Sequence, residues 1–308
     1  MEMRACFAAE LKRLMAQDER LCVLDADLGR ANGTLSLHEL YPGRAFDVGI
    51  AEQDLMSVAA GMASCGMIPF VTSFTPFATR RACDQVAISI AYAGMNVKIV
   101  GTDPGIAAEI NGGTHMSVED IGVLRSIPGI VIFEPVDNLA LTRALPQIIA
   151  HDGPVYIRMF RKETPEILPP DCEVVLGKAI TLRPGKDVTL IASGIMLAPS
   201  LTAAEELAKR DISAEVLGVH TVKPLDAQAV ERSARKTGAV VTCENHNVIG
   251  GLYSAVAECL ARRAPTPMAA IGIQDHFGEV GKMPALMQKF HMTAEDIAAA
   301  AEEVIARK

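Results

Sequence analysis

The sequence has 308 residues, of which 50% are hydrophobic and 21% charged, and its net charge is −8. This length fits two domains of ordinary size, and the composition supplies a sizeable core and argues against wholesale disorder. Charges of both signs are interspersed, whereas a nucleic-acid-binding protein would carry a basic face. These properties favour a protein that acts on small molecules.

The seven cysteines are scattered without a Cys-x-x-Cys pair, and several lie in apolar runs, as reduced structural cysteines do. The charges in segment 1–14 argue against a signal peptide. No apolar run approaches the ~18 residues that a membrane-spanning helix needs. We therefore expect a cytoplasmic protein with neither a membrane nor a nucleic-acid partner.

Short β-branched runs alternate with helical patterns in the first half of the chain. Segments 53–65 and 80–93 are rich in alanine and methionine at helical spacing and predict helices. The β-branched runs predict strands at residues 21–25, 69–73, 97–101, 131–134 and 155–159. Continuous apolar strands separated by helices are typical of a parallel sheet covered on both faces.

A proline-rich stretch interrupts this alternation. Segment 162–171 contains three prolines and several charges with almost no periodicity, which is typical of a linker. Beyond it, the sequence predicts strands at 188–192, 214–219 and 239–244, and helices at 198–209 and 293–307, the last with Thr293 as its N-cap. We therefore predict an α/β fold of two three-layer α/β domains, 1–163 and 173–308, joined by a linker at 164–172.

Three stretches of the first domain carry side chains with chemical potential. Glu52 stands between a strand end and an alanine-rich helix, where a carboxylate also complements the helix dipole. Phe74 and Phe77 follow a predicted strand, and open α/β sheets bind ligands beyond that end of their strands, although core packing also explains each ring. His115 lies in a long loop, and such loops in compact domains are usually functional.

Taken in order, these stretches resemble the pyrimidine-binding domain and the C-terminal domain of the transketolase family. The resemblance covers essentially the whole chain and rests on motifs at 49–53, 74–77, 83–85, 112–115, 128–135, 221–226, 244–251 and 277–279. It implies a thiamine-diphosphate-dependent enzyme that transfers a two-carbon ketol unit between sugar phosphates.

The resemblance also implies a cofactor site. Glu52 would be the acid that hydrogen-bonds N1′ of the cofactor's pyrimidine ring, so that the cofactor's own amino group can remove the thiazolium proton. Phe74 and Phe77 would supply the apolar wall and the stacking face for that ring. Asp27 matches a family segment near the cofactor, and Arg80 replaces a tyrosine that borders the pyrimidine in typical transketolases.

The same resemblance implies the substrate-binding residues. His115 would reach the hydroxyls of the donor sugar and assist proton transfer, and Asn111 falls where many transketolases read a substrate hydroxyl with an aspartate. Arg4 and Arg161 match the two arginines that grip the sugar phosphate, and Arg158 is a neighbouring choice for that role.

Two departures from the family pattern concern the phosphate. Asp103 stands where a phosphate-contacting histidine is expected, and Ala31 stands where a serine is expected. An aspartate near a phosphate is unfavourable because like charges repel. Either the phosphate is held differently, or the substrate is not the usual pentose phosphate.

A Gly-Asp-Gly segment, which holds Mg²⁺ and the cofactor's diphosphate in this superfamily, is missing from the sequence. We therefore expect a separate N-terminal, diphosphate-binding partner subunit that supplies the metal ligands, with the cofactor at the interface of an α2β2 assembly. Other interpretations remain open: the β subunit of a 2-oxo acid dehydrogenase E1 component, a deoxyxylulose-phosphate-synthase-like enzyme, and a non-catalytic transketolase-like partner protein.

Overall fold

The computed structural model describes all residues, 1–308, and contains two β-sheets. The first half of the chain supplies the strands β1 (Leu21–Asp25), β2 (Ala45–Asp47), β3 (Ile68–Phe74), β4 (Lys98–Thr102), β5 (Val131–Phe133) and β6 (Val155–Met159). Every residue of β1, β4 and β6 is buried, which agrees with the largely apolar runs that predicted them.

The helices of the first half cover this sheet. They are α1 (Met3–Met15), α2 (Gly29–Asn32), α3 (Leu35–Leu40), α4 (Glu52–Ser64), α5 (Cys83–Gln85), α6 (Asp120–Arg125) and α7 (Asn138–Ala150). The regular helix predicted over 80–93 is wrong, because π-helical turns at Phe77–Arg81 and Val86–Tyr92 flank α5. Within the first of these turns, the Thr79 hydroxyl donates to the Thr75 carbonyl oxygen at 2.7 Å, a contact that competes with the regular helical ladder.

The second half repeats the alternation of strands and helices. Its strands are β7 (Ile180–Arg183), β8 (Val188–Ala192), β9 (Ala214–Gly218), β10 (Thr221–Lys223), β11 (Val240–Asn247) and β12 (Met268–Ile273). Its helices are α8 (Leu197–Ala208), α9 (Ala227–Thr237), α10 (Leu252–Arg263), α11 (Met283–Lys289) and α12 (Ala294–Ile305). The predicted N-cap of the last helix is confirmed, since Thr293 and Asp296 form a reciprocal capping box.

The order of the strands shows how the two halves are connected. The first sheet has the order β10-β5-β6-β4-β3-β1-β2 and is parallel except for β10, which pairs antiparallel with β5. The second sheet has the order β12-β11-β8-β9-β7, with β7 antiparallel to β9. The expectation of a parallel sheet in the first half is therefore wrong at one edge, because an edge strand needs a partner on one side only and can reverse direction.

Strand β10 comes from the second half of the chain but extends the sheet of the first half. The two α/β halves are thus joined by backbone hydrogen bonds as well as by the irregular segment between β6 and β7. The predicted α/β fold class is confirmed. None of the helices combines the length and apolar composition that crossing a bilayer requires.

Candidate functional site

The buried carboxylate of Glu52 lies at the first turn of α4, beside the carboxyl end of β3. The side chain is 2% exposed and accepts hydrogen bonds from Ser73 Oγ at 3.3 Å and from Arg81 Nη1 at 2.8 Å. Complementing the helix dipole explains the position of Glu52 but does not require its burial. A buried carboxylate beside an open cleft is typical of a chemically active group.

An aromatic cluster stands next to this carboxylate. The ring centroids of Phe74 and Phe77 are 6.2 Å apart, and the His115 ring meets both edge-on, at 5.8 Å from Phe74 and 5.3 Å from Phe77. Thr114 Oγ1 lies 2.9 Å from His115 Nδ1 and fixes the orientation of the imidazole ring. The structure therefore brings together three residues that the sequence placed in two separate motifs.

Two glycines allow the His115 loop to take this position. Gly112 has φ +74°, a conformation that favours glycine. A Cβ on Gly113 would lie 2.5 Å from the carbonyl oxygen of Gly278, so only glycine permits this close approach. The motif at 277–279 therefore supports the loop from the second half of the chain.

Two arginines and two carboxylates form a charged cluster at the other side of the rings. Arg4 Nη1 and Arg161 Nη1 both donate to the carbonyl oxygen of Ala31, at 3.1 and 3.3 Å. Arg161 Nε also donates to Asp103 Oδ2 at 2.6 Å, and Arg4 Nε donates to Glu2 Oε2 at 2.8 Å. The Arg161 guanidinium lies 4.8 Å from the Phe74 ring centroid, which joins the cluster to the aromatic residues.

Arg81 is a site residue that the sequence analysis missed. Its guanidinium lies 3.8 Å from the Phe77 ring centroid while it donates to Glu52. The neighbouring Arg80, which the resemblance had singled out, instead pairs with Glu119 at 2.5 Å. The sequence alone does not show which of these two adjacent arginines contacts Glu52. The π-helical turn directs Arg81 toward it.

Arg158, one of the predicted substrate-binding residues, lies in the buried interior of the protein. Its side chain is fully buried and donates to Asp120, Glu134 and the carbonyl oxygen of Asn245. These buried partners engage all three nitrogens of the guanidinium and link the two halves of the chain, and a role of Arg158 in binding the substrate stays a prediction.

The other two predicted residues lie on exposed surface near the site. Asp27 has φ +58° and donates its backbone N–H to Asp47 Oδ1 at 3.0 Å. Asn111 ends the 3₁₀ segment Gly105–Asn111. Neither side chain makes a contact that fixes its role.

A buried polar network beneath the site also escaped the sequence analysis. Asp25, at the end of β1, accepts hydrogen bonds from Thr34 Oγ1 at 2.7 Å and from Thr72, and it contacts His38 Nε2 at 2.9 Å. The hydrogen bond to Asp25 raises the pKa of His38. The resemblance pointed to Asp27, two residues further along the chain, and the buried carboxylate of Asp25 was overlooked.

The motif at 244–251 holds the loop that follows β4. Asn245 accepts from the Ile106 N–H and donates to the Pro104 carbonyl oxygen, both at 2.9 Å. Its neighbours are buried: burial raises the pKa of Glu244 to about 8 and lowers the pKa of His246 to about 4. These residues therefore act in the contact between the two halves.

Comparison with known proteins gives two matching family models. The model described as "Transketolase, pyrimidine binding domain" matches residues 1–166, and the model described as "Transketolase, C-terminal domain" matches residues 177–297. Together they account for both halves of the chain.

Individual relatives agree with these matches. The chain is 57% identical over 292 residues to the 6-deoxy-6-sulfo-D-fructose transketolase subunit SqwH of Clostridium sp. (strain MSTE9), covering 95% of this chain and 91% of that protein. A solved structure described as a split gene transketolase, inactive beta4 tetramer, has a TM-score of 0.92 at 40% identity and is covered to 99% in both chains.

A third relative concerns the interpretation as a deoxyxylulose-phosphate-synthase-like enzyme. The 1-deoxy-D-xylulose-5-phosphate synthase 1 of Geobacter sulfurreducens is 35% identical over 307 residues. The match covers 98% of this chain but only 48% of that protein.

Proposed function

The chain belongs to the transketolase family as a subunit of a split, thiamine-diphosphate-dependent transketolase, and on this premise we propose that its ketol donor is 6-deoxy-6-sulfo-D-fructose. The observation that carries this proposal is the 57% identity, over nearly the whole of both chains, to a subunit that bears this substrate in its name. The charged cluster of Arg4 and Arg161 supplies the positive groups that a terminal sulfonate needs.

The residues of the site fit the pyrimidine end of thiamine diphosphate. Glu52 is a buried hydrogen-bonding group at the floor of an open cleft of about 710 Å³, and Phe77 presents an aromatic face beside it. Arg81 already uses both features, because its planar guanidinium stacks on the ring and donates to the carboxylate. A flat nitrogen heterocycle that stacks on the ring and shares a proton with the carboxyl group through a ring nitrogen would use the same two groups.

When bound, thiamine diphosphate supplies a nucleophilic carbon that accepts the ketol unit. We assign Glu52 to hold the proton at the pyrimidine nitrogen, which requires the half-exposed Arg81 to move aside. Phe74 and Phe77 exclude water from that contact. His115, held by Thr114, is placed to hydrogen-bond a donor hydroxyl and to take its proton, with Asn111 at the rim of the site.

The partner subunit is the second part of the proposal. Because this sequence has no Gly-Asp-Gly segment, we place the diphosphate and Mg²⁺ sites on a separate N-terminal subunit and propose an α2β2 assembly. The match to a split gene transketolase supports a division of the enzyme between two chains.

The chemistry of ketol transfer fixes the products. Removing carbons 1 and 2 from a six-carbon ketose leaves a four-carbon aldose that carries the sulfonate. The ketol unit passes to the aldehyde carbon of an aldose phosphate and lengthens it by two carbons.

The test is a reconstitution of this chain with its partner subunit, thiamine diphosphate and Mg²⁺. With 6-deoxy-6-sulfo-D-fructose and an aldose phosphate acceptor, we expect the four-carbon sulfo-aldose to form only when both subunits are present. Turnover of D-fructose 6-phosphate with no turnover of the sulfonated sugar would contradict the proposed donor and leave the transketolase assignment intact.

A further inference from the structure

The two arginines of the charged cluster are each neutralised by a carboxylate of this chain. Arg161 is paired with Asp103, whose side chain is 4% exposed, and Arg4 is paired with the more exposed Glu2. The cluster of two arginines and two carboxylates therefore has no net charge, although both guanidinium groups keep N–H donors that these bonds do not use.

Asp103 is held in this position by the backbone as well as by the ion pair. It follows β4 directly and has φ +53°, a left-handed conformation that aspartate tolerates better than most residues. The backbone N–H of Asp103 donates to the Met159 carbonyl oxygen at 3.0 Å. The backbone N–H of Arg161 donates to Asp103 Oδ1 at 3.3 Å. Such a conformation at the end of a central strand is typical of functional sites.

Sulfonate and phosphate differ in charge more than in shape. Both present three oxygens that accept hydrogen bonds, but a sulfonate is a monoanion, whereas a phosphate monoester carries a charge of about −1.5 to −2 at pH 7. When a buried carboxylate is paired with the arginine that binds the anion, it repels the second negative charge of a phosphate. The remaining N–H donors of the arginine stay available to either anion.

We propose that Asp103 is a specificity-determining residue that biases the Arg4–Arg161 site toward a monoanionic sulfonate and against a dianionic phosphate. This inference rests on the proposed function, because it assigns the anionic end of the donor sugar to these two arginines. It also gives a physical reason for the replacement of the expected histidine: a neutral or cationic side chain at this position would favour the dianion.

The test compares the wild-type and Asp103→Asn enzymes, each reconstituted with the partner subunit, thiamine diphosphate and Mg²⁺. The value of kcat/KM is measured for 6-deoxy-6-sulfo-D-fructose and for D-fructose 6-phosphate. Asparagine tolerates the same left-handed backbone and has nearly the same shape, so the substitution removes the charge alone. We expect the preference for the sulfonated sugar to fall by about tenfold or more, mainly through a lower KM for the phosphate.

A matched control is Glu163→Gln, which removes a carboxylate two residues after Arg161 from a side chain that is 73% exposed and pairs with the N-terminus. The ratio of kcat/KM for the sulfonated sugar to kcat/KM for the phosphate should stay at the wild-type value. Asp103→Glu, which keeps the charge, should retain more of the sulfonate preference than Asp103→Asn.

The outcomes separate this inference from the proposed function. If the wild-type enzyme turns over the sulfonated donor and Asp103→Asn has the same ratio of kcat/KM for the two sugars, only the role of Asp103 is overturned. A wild-type enzyme that prefers the phosphate would overturn both the donor and the role of Asp103. If Asp103→Asn fails to fold, inhibition of the wild-type enzyme by methanesulfonate, a monoanion, and by methyl phosphate, mainly a dianion at neutral pH, decides: stronger inhibition by methyl phosphate would overturn the inference.

Discussion

At the scale of single residues, the site is a continuous series of contacts from Glu52 to Arg4. Arg81 links Glu52 to Phe77, His115 links Phe77 to Phe74, and Arg161 links Phe74 to the charged cluster. A cofactor ring at Glu52 and a substrate anion at Arg161 would therefore lie at the two ends of one aromatic wall.

The role of Glu52 can be tested by Glu52→Gln. Glutamine keeps the shape but cannot supply the proton that the pyrimidine nitrogen needs, so we expect kcat of the reconstituted enzyme to fall at least ~100-fold. Glu205→Gln, at an exposed position of α8 that does not line the cleft, should retain wild-type turnover. Wild-type rates from Glu52→Gln would contradict the proposed mechanism; size-exclusion chromatography should show that the variant still assembles.

The sequence identified the site residues only where a motif marks them. Glu52, Phe74, Phe77 and His115 stand at strand ends or in a glycine-containing loop, and such places can be recognised without knowing the partners. Ion pairs depend on tertiary contacts between distant segments. For that reason the sequence did not show that Arg158 is buried.

At the scale of elements, the fully buried strands were predicted best and the edge strands worst. The predicted bounds of β1, β6 and β8 agree with the structure, because each is a mostly apolar run whose residues are all buried. Strands β2, β7, β10 and β12 were missed, since they are short or partly exposed. The π-helical turns were missed because their composition is that of an ordinary helix.

Strand β4 also carries a buried lysine that predicts a pH dependence of stability. Lys98 Nζ donates to the carbonyl oxygens of His151 and Gly153 at 2.8 and 2.9 Å, and burial lowers its pKa to about 7. In the unfolded chain, a lysine has a pKa of about 10.4. Between pH 7 and about pH 10.4, the unfolded chain therefore binds more protons than the folded chain, and the free energy of unfolding rises with pH.

Replacing this lysine should remove that contribution. We expect the free energy of unfolding of the wild type, relative to Lys98→Met, to increase by about 3 kcal/mol between pH 7 and about pH 9.5, as measured by urea denaturation. Lys209→Met, at a side chain that is 69% exposed, is the control and should show no such trend. If the free energy of unfolding of the wild type, relative to Lys98→Met, decreases as the pH rises, the prediction is contradicted.

At the scale of the whole molecule, apolar side chains are exposed next to the Glu52 cleft. Ile50 lines the cleft and is 75% exposed, while Ile88 and Tyr92, one turn apart in the adjacent π-helical segment, are 57% and 87% exposed. Exposed apolar groups beside an open site mark a surface that another subunit covers.

Charging this surface should weaken assembly. We expect the double variant Ile88→Lys, Tyr92→Lys to bind the partner subunit about tenfold or more weakly, measured by analytical ultracentrifugation at micromolar concentrations. Val175→Lys, at an exposed apolar position in the segment between the two sheets, is the control and should assemble normally. Equal affinity of the double variant and the wild type would place the interface elsewhere.

The most direct test of the account is a calorimetric titration of thiamine diphosphate with Mg²⁺ into this chain, alone and mixed with the partner subunit. We expect tight binding only in the mixture, because Glu52 and the aromatic residues contribute just the pyrimidine end of the site. Tight binding by this chain alone, or no binding in the mixture, would contradict a cofactor site divided between two subunits.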